Sequence, residues 1–107
     1  MAKGWIGVDL DGTLAHYDGW KGRHNNIGDP VPKMMGRVKR WLRDGIEVRI
    51  FTARAGEKDQ VTPVERWLKR HGLPALQITN VKDHACREIW DDRAVQVHKN
   101  TGERVGE

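Results

Sequence analysis

Two aspartates separated by one residue, Asp9 and Asp11, follow a short apolar run, and Gly12 comes next. Residues two apart on an extended strand project to the same side, so both carboxylates are expected to face one side of the strand end. Adjacent negative charges repel each other, and an apolar strand end solvates them poorly. A hard divalent cation would offset this repulsion, and Mg²⁺ prefers carboxylate and carbonyl oxygens. The spacing therefore indicates either a Mg²⁺ site or a surface turn of the form Asp-x-Asp-Gly.

Polar groups also follow the other apolar runs. Thr52 and Arg54 follow the second run, where the hydroxyl and backbone N–H of Thr52 could bind a phosphoryl oxygen and Arg54 could add positive charge. Lys82 follows the third run and is a compact cation suited to neutralising a carboxylate that faces a phosphate. Asp91 and Asp92 end the fourth run. Each alone is typical of a helix cap, a solvated side chain or a turn, but compatible groups at four run ends favour one shared site.

The elements that must position these groups alternate between short apolar runs and amphipathic segments. The expected strands are Trp5–Val8, Ile46–Phe51, Leu76–Ile78 and Ile89–Trp90, with a further edge strand at Val95 and Val97. Helical spacing predicts one helix that begins near Pro32 and stops at Asp44-Gly45. A second helix is expected to begin near Thr62-Pro63 and to end at His71-Gly72, and Asp83 to Arg87 is expected to be weakly helical.

Alternation of strand and helix predicts an α/β fold: a minimal Rossmann-like three-layer sandwich built on a parallel sheet. Ligands of such sheets bind beyond the carboxyl ends of the strands, where the polar groups collect here. A chain of 107 residues is expected to form one domain, 1–107. Within it, 15–32 is expected to form a loop or small hairpin flap around Tyr17, Trp20, Arg23 and His24, and the polar tail 99–107 is expected to be frayed.

In chain order, Asp9-Leu10-Asp11-Gly12-Thr13, then Thr52, then Lys82, then Asp91-Asp92 resemble the four motifs of the haloacid dehalogenase (HAD) superfamily of phosphatases. The resemblance extends from about Gly4 to Val97. It implies that Asp9 is a nucleophile that becomes an aspartyl-phosphate and that Thr52 binds the phosphoryl group. It also implies that Lys82 is the base of the third motif and that Asp91-Asp92 is the acidic pair of the fourth.

Within that reading, Asp11 is expected to act as general acid and then as general base. Its backbone carbonyl is expected to bind Mg²⁺, which leaves its carboxyl group free, while Asp92 binds the metal and Asp91 holds Lys82. The predicted phosphoryl-binding residues are Asp9, Leu10, Asp11, Thr52, Ala53, Arg54 and Lys82, and the predicted metal ligands are Asp9, Asp11, Asp91 and Asp92. No insertion after Thr13 or Thr52 is long enough for a cap domain, so the site is expected to be open. The substrate, an oligomeric neighbour or the flap would have to cover it.

The net charge of +4 favours anionic partners such as phosphate esters or nucleic acid, although the charges are spread along the chain. A single cysteine, Cys86, allows no internal disulfide, and the first residues lack a long apolar stretch, so a cytoplasmic protein without a membrane span is expected. The sequence therefore predicts a Mg²⁺-dependent phosphomonoesterase, with a phosphorylated nucleic-acid end as one candidate substrate. A small nucleotide or sugar phosphate remains an alternative substrate. The alternative functions are a non-catalytic phosphate-binding or nucleic-acid-binding module and a receiver domain of two-component signalling.

Overall fold

The computed structural model describes residues 3–19 and 26–106, in which four parallel strands form one sheet beside two α-helices. In chain order the elements are β1 (Trp5–Val8), α1 (Pro32–Arg43), β2 (Glu47–Phe51), a 3₁₀ turn (Ala53–Gly56), α2 (Lys58–Arg70), β3 (Ile78–Thr79) and β4 (Cys86–Trp90). The strand order is β3-β2-β1-β4, and each neighbouring pair is parallel. The predicted α/β class and Rossmann-like parallel sheet are confirmed.

Both helices pack on one face of this sheet. Alternate residues of β1 and β2 point to that face and meet buried residues of the two helices. The shared core contains Ile6, Val8, Val48, Ile50, Met34, Met35, Val38, Val64, Trp67 and Leu68. Helix α1 begins with Pro32 and stops before Asp44-Gly45, as predicted, and Gly45 has a φ of 78°, which favours glycine after a helix.

Helix α2 begins at Lys58, earlier than the predicted start near Thr62-Pro63, and it contains Pro63 in its interior. The helix begins earlier because its buried face extends one turn before Val64, to Gln60. Because Gln60 is polar, the apolar periodicity of the sequence does not show that this turn faces the core. The proline therefore stands inside the helix rather than at its first position.

The opposite face of the sheet is covered by a non-helical segment between β3 and β4. Trp5 is fully buried on that face, its indole Nε1 donates to the Asp83 carboxylate at 2.8 Å, and the Arg49 guanidinium lies 4.5 Å from its ring centroid. The predicted weak helix from Asp83 to Arg87 is wrong, because Cys86 already pairs with Trp5 as the first residue of β4. The third layer of the predicted sandwich therefore consists of the short non-helical segment between β3 and β4.

The base of the flap is a small two-stranded pairing. Ala15 bridges Pro30 in antiparallel orientation, and the backbone N–H of His16 donates to the Asp29 carbonyl. This agrees with the expected small hairpin, although Trp20, Arg23 and His24 lie outside the described residues. Gly28 allows the close approach, since a Cβ atom there would lie 2.1 Å from the carbonyl oxygen of His16.

The segment after β4 pairs with itself. Val97 bridges Arg104 in antiparallel orientation, and the backbone N–H of Val105 donates to the Gln96 carbonyl. The predicted edge strand at Val95 and Val97 and the predicted frayed tail are therefore wrong for the described residues. Local backbone hydrogen bonds across a turn satisfy this polar segment without the sheet. Among the described residues, no helix combines the length and the apolar character that crossing a membrane requires.

Candidate functional site

A cleft of about 850 Å³ lies at the carboxyl ends of β1, β2 and β4. Parallel strands bring the residues that follow them to one edge of the sheet, so sequence-distant side chains meet there. The described residues that line the cleft are Asp9, Asp11, Tyr17, Phe51, Thr52, Ala53, Arg54, Glu57, Asn80, Asp91, Asp92, Arg93 and Ala94. Most of the residues predicted from the sequence are thus in one place. The exceptions are Lys82 and Leu10, whose side chain is fully buried in the core.

Three carboxylates gather on one wall of the cleft. One oxygen each from Asp9, Asp91 and Asp92 lies within 4.8 Å of the others. Burial, the negative charge of Asp91, and the hydrogen bond and negative charge of Asp92 together raise the pKa of Asp9 to about 7, against a smaller lowering effect from the backbone N–H of Leu10. These carboxylate oxygens lie close together and their negative charges repel each other. They therefore form a set of ligands that suits a hard divalent cation.

Asp92 is fixed in this cluster by Thr13. The Thr13 hydroxyl donates to Asp92 Oδ1 at 2.9 Å and accepts from the Asp92 backbone N–H at 3.0 Å. Burial alone would raise the pKa of Asp92, but the hydrogen bonds from Thr13, from its own backbone and from Asp9 lower it below the usual range. Gly12, with a φ of 93°, permits this contact, because a Cβ atom there would lie 2.7 Å from Asp92 Oδ2. The turn after Asp11 thus joins the ends of β1 and β4.

Asp11 faces the same cleft but belongs to a different set of contacts. Its Oδ2 accepts from Arg54 Nε at 2.7 Å and its Oδ1 accepts from Arg54 Nη2 at 2.9 Å. This two-point geometry matches the fork of a guanidinium to a carboxylate, and only 4% of the Arg54 side chain is exposed. The sequence predicted a free carboxyl group on Asp11 and a phosphoryl-binding Arg54. The structure instead pairs the two, because the 3₁₀ turn aims Arg54 back toward the end of β1.

Thr52 begins that turn. Its hydroxyl accepts from the Arg54 backbone N–H at 3.1 Å, and its own backbone N–H donates to the Thr79 carbonyl at 2.9 Å. The predicted availability of the Thr52 backbone N–H to a phosphoryl oxygen is therefore wrong, because the hydrogen bonding between β2 and β3 continues through this residue. The hydroxyl still has a hydrogen to donate into the cleft, and Ala53 lines the cleft beside it.

Lys82 lies outside the cleft and is exposed. Its positive charge acts instead on Cys86, the first residue of β4, where it opposes the burial that raises the pKa of that thiol. Asp91 follows the other end of the same strand, and the described ion pairs do not include Lys82. After β3 the chain crosses the face of the sheet that carries Trp5 and enters β4 at Cys86, and Lys82 lies in this crossing.

Two residues in or beside the cleft, Arg93 and Gln60, were not among the site residues predicted from the sequence. Arg93 lines the cleft, and its backbone N–H donates to Asp91 Oδ1 at 2.7 Å. Gln60 does not line the cleft, but its Oε1 accepts from Arg54 Nη1 at 2.6 Å. Arg93 could have been predicted from the sequence, because it directly follows the acidic pair Asp91-Asp92. No sequence pattern indicated Gln60, because its contact with Arg54 depends on how α2 is oriented against the 3₁₀ turn.

The described residues that line the cleft carry more acidic than basic side chains. Its described lining carries five carboxyl groups, on Asp9, Asp11, Glu57, Asp91 and Asp92, against the guanidinium groups of Arg54 and Arg93. An anionic substrate would be repelled by this balance unless a cation bound with it. The electrostatics thus agree with the donor set: the cleft fits a divalent cation better than it fits an anion alone.

Comparison with known proteins supports the fold. No family model and no curated protein matches the sequence. Among solved structures, the chain is similar to a conserved protein from Bacteroides thetaiotaomicron, with a TM-score of 0.65 and 20% sequence identity. The match covers 87% of this chain and 78% of the other. At this identity the similarity shows a common fold.

Proposed function

We propose that this protein is a Mg²⁺-dependent phosphomonoesterase of the HAD type that works through an aspartyl-phosphate on Asp9. The observation that carries the proposal is the convergence of Asp9, Asp11 and the Asp91-Asp92 pair in one cleft at the carboxyl edge of a parallel sheet. A nucleophilic carboxylate, a second carboxyl group for proton transfer and a site for a divalent cation are the groups that phosphoryl transfer to an aspartate needs.

The proposed ligands of Mg²⁺ are the carboxylates of Asp9, Asp91 and Asp92, together with the backbone carbonyl of Asp11. The close approach of the three carboxylates and the raised pKa of Asp9 support this assignment. When bound, the cation would neutralise charge on the phosphate and on these carboxylates. Arg93 is then the proposed side-chain cation for the phosphoryl oxygens, in place of Lys82, because Arg93 lines the cleft.

In the proposed reaction, a carboxylate oxygen of Asp9 forms a bond to phosphorus as the bond to the leaving oxygen breaks. Asp11 donates a proton to that leaving oxygen, and then accepts a proton from the water that hydrolyses the aspartyl-phosphate. Each carboxyl oxygen has two acceptor sites, so Asp11 can carry a proton on one oxygen while both oxygens still accept from Arg54. Arg54 therefore stabilises the carboxylate that remains after the first proton transfer.

The direct test is turnover of a generic aryl phosphate with Mg²⁺ and with chelator. Hydrolysis that depends on Mg²⁺ supports the proposal. A protein that binds phosphate esters but does not hydrolyse them is the non-catalytic module instead. A panel of nucleotides, sugar phosphates, phosphopeptides and phosphorylated oligonucleotides would then identify the substrate class.

Replacing Asp11 with Asn should lower kcat most for esters with poor leaving groups, because these need the acid. We expect a loss of about a hundredfold or more for an alkyl phosphate and a smaller loss for an aryl phosphate. The measurement is kcat for the two esters with wild type and Asp11→Asn. Equal losses for both would show that Asp11 does not act as the acid.

A phosphorylated nucleic-acid end is our proposed substrate. The Arg37 guanidinium of α1 lies 5.2 Å from the ring centroid of Trp90, the residue before Asp91, so this part of the helix lies near the acidic end of β4. Lys33 and Arg40 are exposed and lie four residues before and three residues after Arg37, on the same side of the helix. Backbone phosphates could bind these side chains while a base stacks on Tyr17, which lines the cleft.

This substrate class predicts that strand length matters at low salt. We expect kcat/KM for a phosphorylated oligonucleotide to exceed that of the matching mononucleotide by about tenfold, and the advantage to shrink at moderate salt because counterion release drives the added contacts. Equal efficiencies, or an advantage that salt does not change, would indicate a small nucleotide or sugar phosphate. We further propose a cytoplasmic location, in agreement with the single cysteine.

A further inference from the structure

We infer that Gln60 is a positioning residue that holds the Asp11 carboxylate in place through Arg54. This inference rests on the proposed role of Asp11 in proton transfer. Three hydrogen bonds connect the groups: Arg54 donates from Nε and Nη2 to Asp11, and from Nη1 to Gln60 Oε1. The guanidinium thus lies between a charged acceptor on the β1 side and a neutral acceptor on α2.

The two acceptors fix the plane of the guanidinium. The group is flat and its N–H bonds have fixed directions, so partners on both sides leave it little freedom to rotate. Without the acceptor on the α2 side, the guanidinium would have more freedom to turn about its long side chain and to carry the Asp11 carboxylate with it. With Nη1 bound at 2.6 Å to Gln60, the guanidinium presents one fixed edge to Asp11.

Burial limits the exchange of these hydrogen bonds with water. Arg54 and Gln60 are exposed by 4% and 7%. Because a polar group without a partner is costly in a buried place, neither can exchange its contact readily for water. The bonds are also stronger in a poorly solvated environment than on the surface. A glutamine on the buried stripe of an otherwise apolar helix face is accounted for by this contact.

The local chain path explains how the two residues meet. Arg54 lies in the 3₁₀ turn that the Thr52 hydroxyl caps, and Gln60 lies in the first turn of α2, where its backbone N–H donates to the Glu57 carbonyl. The orientation of α2 is thereby linked to the orientation of Asp11. A general acid and base whose direction is set by a third group is the arrangement that efficient proton transfer requires.

The test replaces Gln60 with Met, which keeps the length of the side chain and removes the acceptor. If Gln60 acts through Asp11, we expect kcat for an alkyl phosphate to fall by about tenfold, with a smaller loss for an aryl phosphate and KM changed by less than about twofold. Gln96→Met, a substitution at an exposed glutamine far along the chain, is the matched control and should leave kcat unchanged.

The same substitution in the Asp11→Asn background distinguishes positioning from general structural support. There Gln60→Met should have no further effect on kcat, because the group that it orients has already lost its function. An equal loss in both backgrounds, or no loss in the wild-type background, would overturn the inference.

Hydrogen exchange of the Arg54 Nε–H, followed by NMR, gives a readout that does not depend on activity. We expect exchange in Gln60→Met to be about tenfold faster than in the wild-type protein, since the Arg54–Asp11 pair would open more often. Unchanged exchange would contradict the inference. Absence of phosphatase activity in the wild-type protein would instead reject the proposed function, and the exchange measurement would still decide whether Gln60 holds Arg54 on Asp11.

Discussion

Replacing Asp9 with Asn should abolish turnover and leave the fold intact. The amide has the shape of the carboxylate but cannot act as the nucleophile, so we expect kcat to fall by at least about a thousandfold. The fold should be retained, because the contact of Asp9 with β4 is made by its backbone. The Asp9 N–H donates to the Trp90 carbonyl at 2.9 Å, and the substitution leaves this hydrogen bond in place. The measurement is kcat for an aryl phosphate at saturating Mg²⁺.

Asp44→Asn is a matched control, since Asp44 is exposed after α1 and outside the cleft. It should retain wild-type kcat. Detection of the phosphorylated protein by intact mass after rapid acid quench would complement the kinetics, with an added phosphoryl group in wild type and none in Asp9→Asn. Activity of Asp9→Asn within about tenfold of wild type would reject Asp9 as the nucleophile.

The second large effect concerns metal and pH together. Without metal, burial and the neighbouring carboxylates hold the pKa of Asp9 at about 7, against an ordinary value of 3.8. The folded protein therefore keeps a proton on Asp9 that the unfolded chain has lost. Between these two values the folded state binds more protons than the unfolded state, so the free energy of unfolding falls as pH rises through this window.

Asp92 contributes with the opposite sign in a lower range. Its pKa is lowered in the folded state, so its contribution to stability is present above the ordinary pKa and is lost as pH falls below it. The loss of stability expected between pH 3.8 and about 7 therefore belongs to Asp9. In Asp9→Asn, without metal, this loss should disappear, because the amide does not titrate.

Mg²⁺ should counteract the destabilisation, because a bound cation favours the ionised form of Asp9. Ligand at about 100 times its Kd stabilises a folded protein by about 2.7 kcal/mol, which raises the Tm of a domain of this size by roughly 10 °C. We expect the rise in Tm with Mg²⁺ to be larger at about pH 8 than at about pH 5, since protons compete with the metal for Asp9.

Differential scanning calorimetry at the two pH values, with Mg²⁺ or chelator, checks this prediction. Asp44→Asn is again the control and should show the wild-type response to Mg²⁺. Chelator should also eliminate phosphatase activity. A Tm that does not respond to Mg²⁺ at either pH would contradict a metal site shared by Asp9, Asp91 and Asp92.

Much of the fold follows from local sequence. Apolar runs of strand length that end in polar groups specified the parallel sheet, and Pro32 with Asp44-Gly45 marked both ends of α1. These signals are local because the period of apolar residues and the conformational preferences of proline and glycine act within a few residues. The start of α2 was missed because Gln60 is polar and is buried by a side-chain contact with Arg54, which lies outside the helix and adds nothing to the apolar pattern.

The sequence by itself determined that Asp9, Thr52 and Asp92 meet in one cleft, since residues that directly follow parallel strands lie at one edge of the sheet. Only the tertiary structure decided how they pair. The 3₁₀ turn directs Arg54 onto both oxygens of Asp11, and the direct crossing from β3 to β4 leaves Lys82 outside the cleft. The physical reason is that strand order fixes where a chain segment ends, whereas hydrogen bonds between buried side chains depend on the orientation of whole elements, which no local pattern encodes.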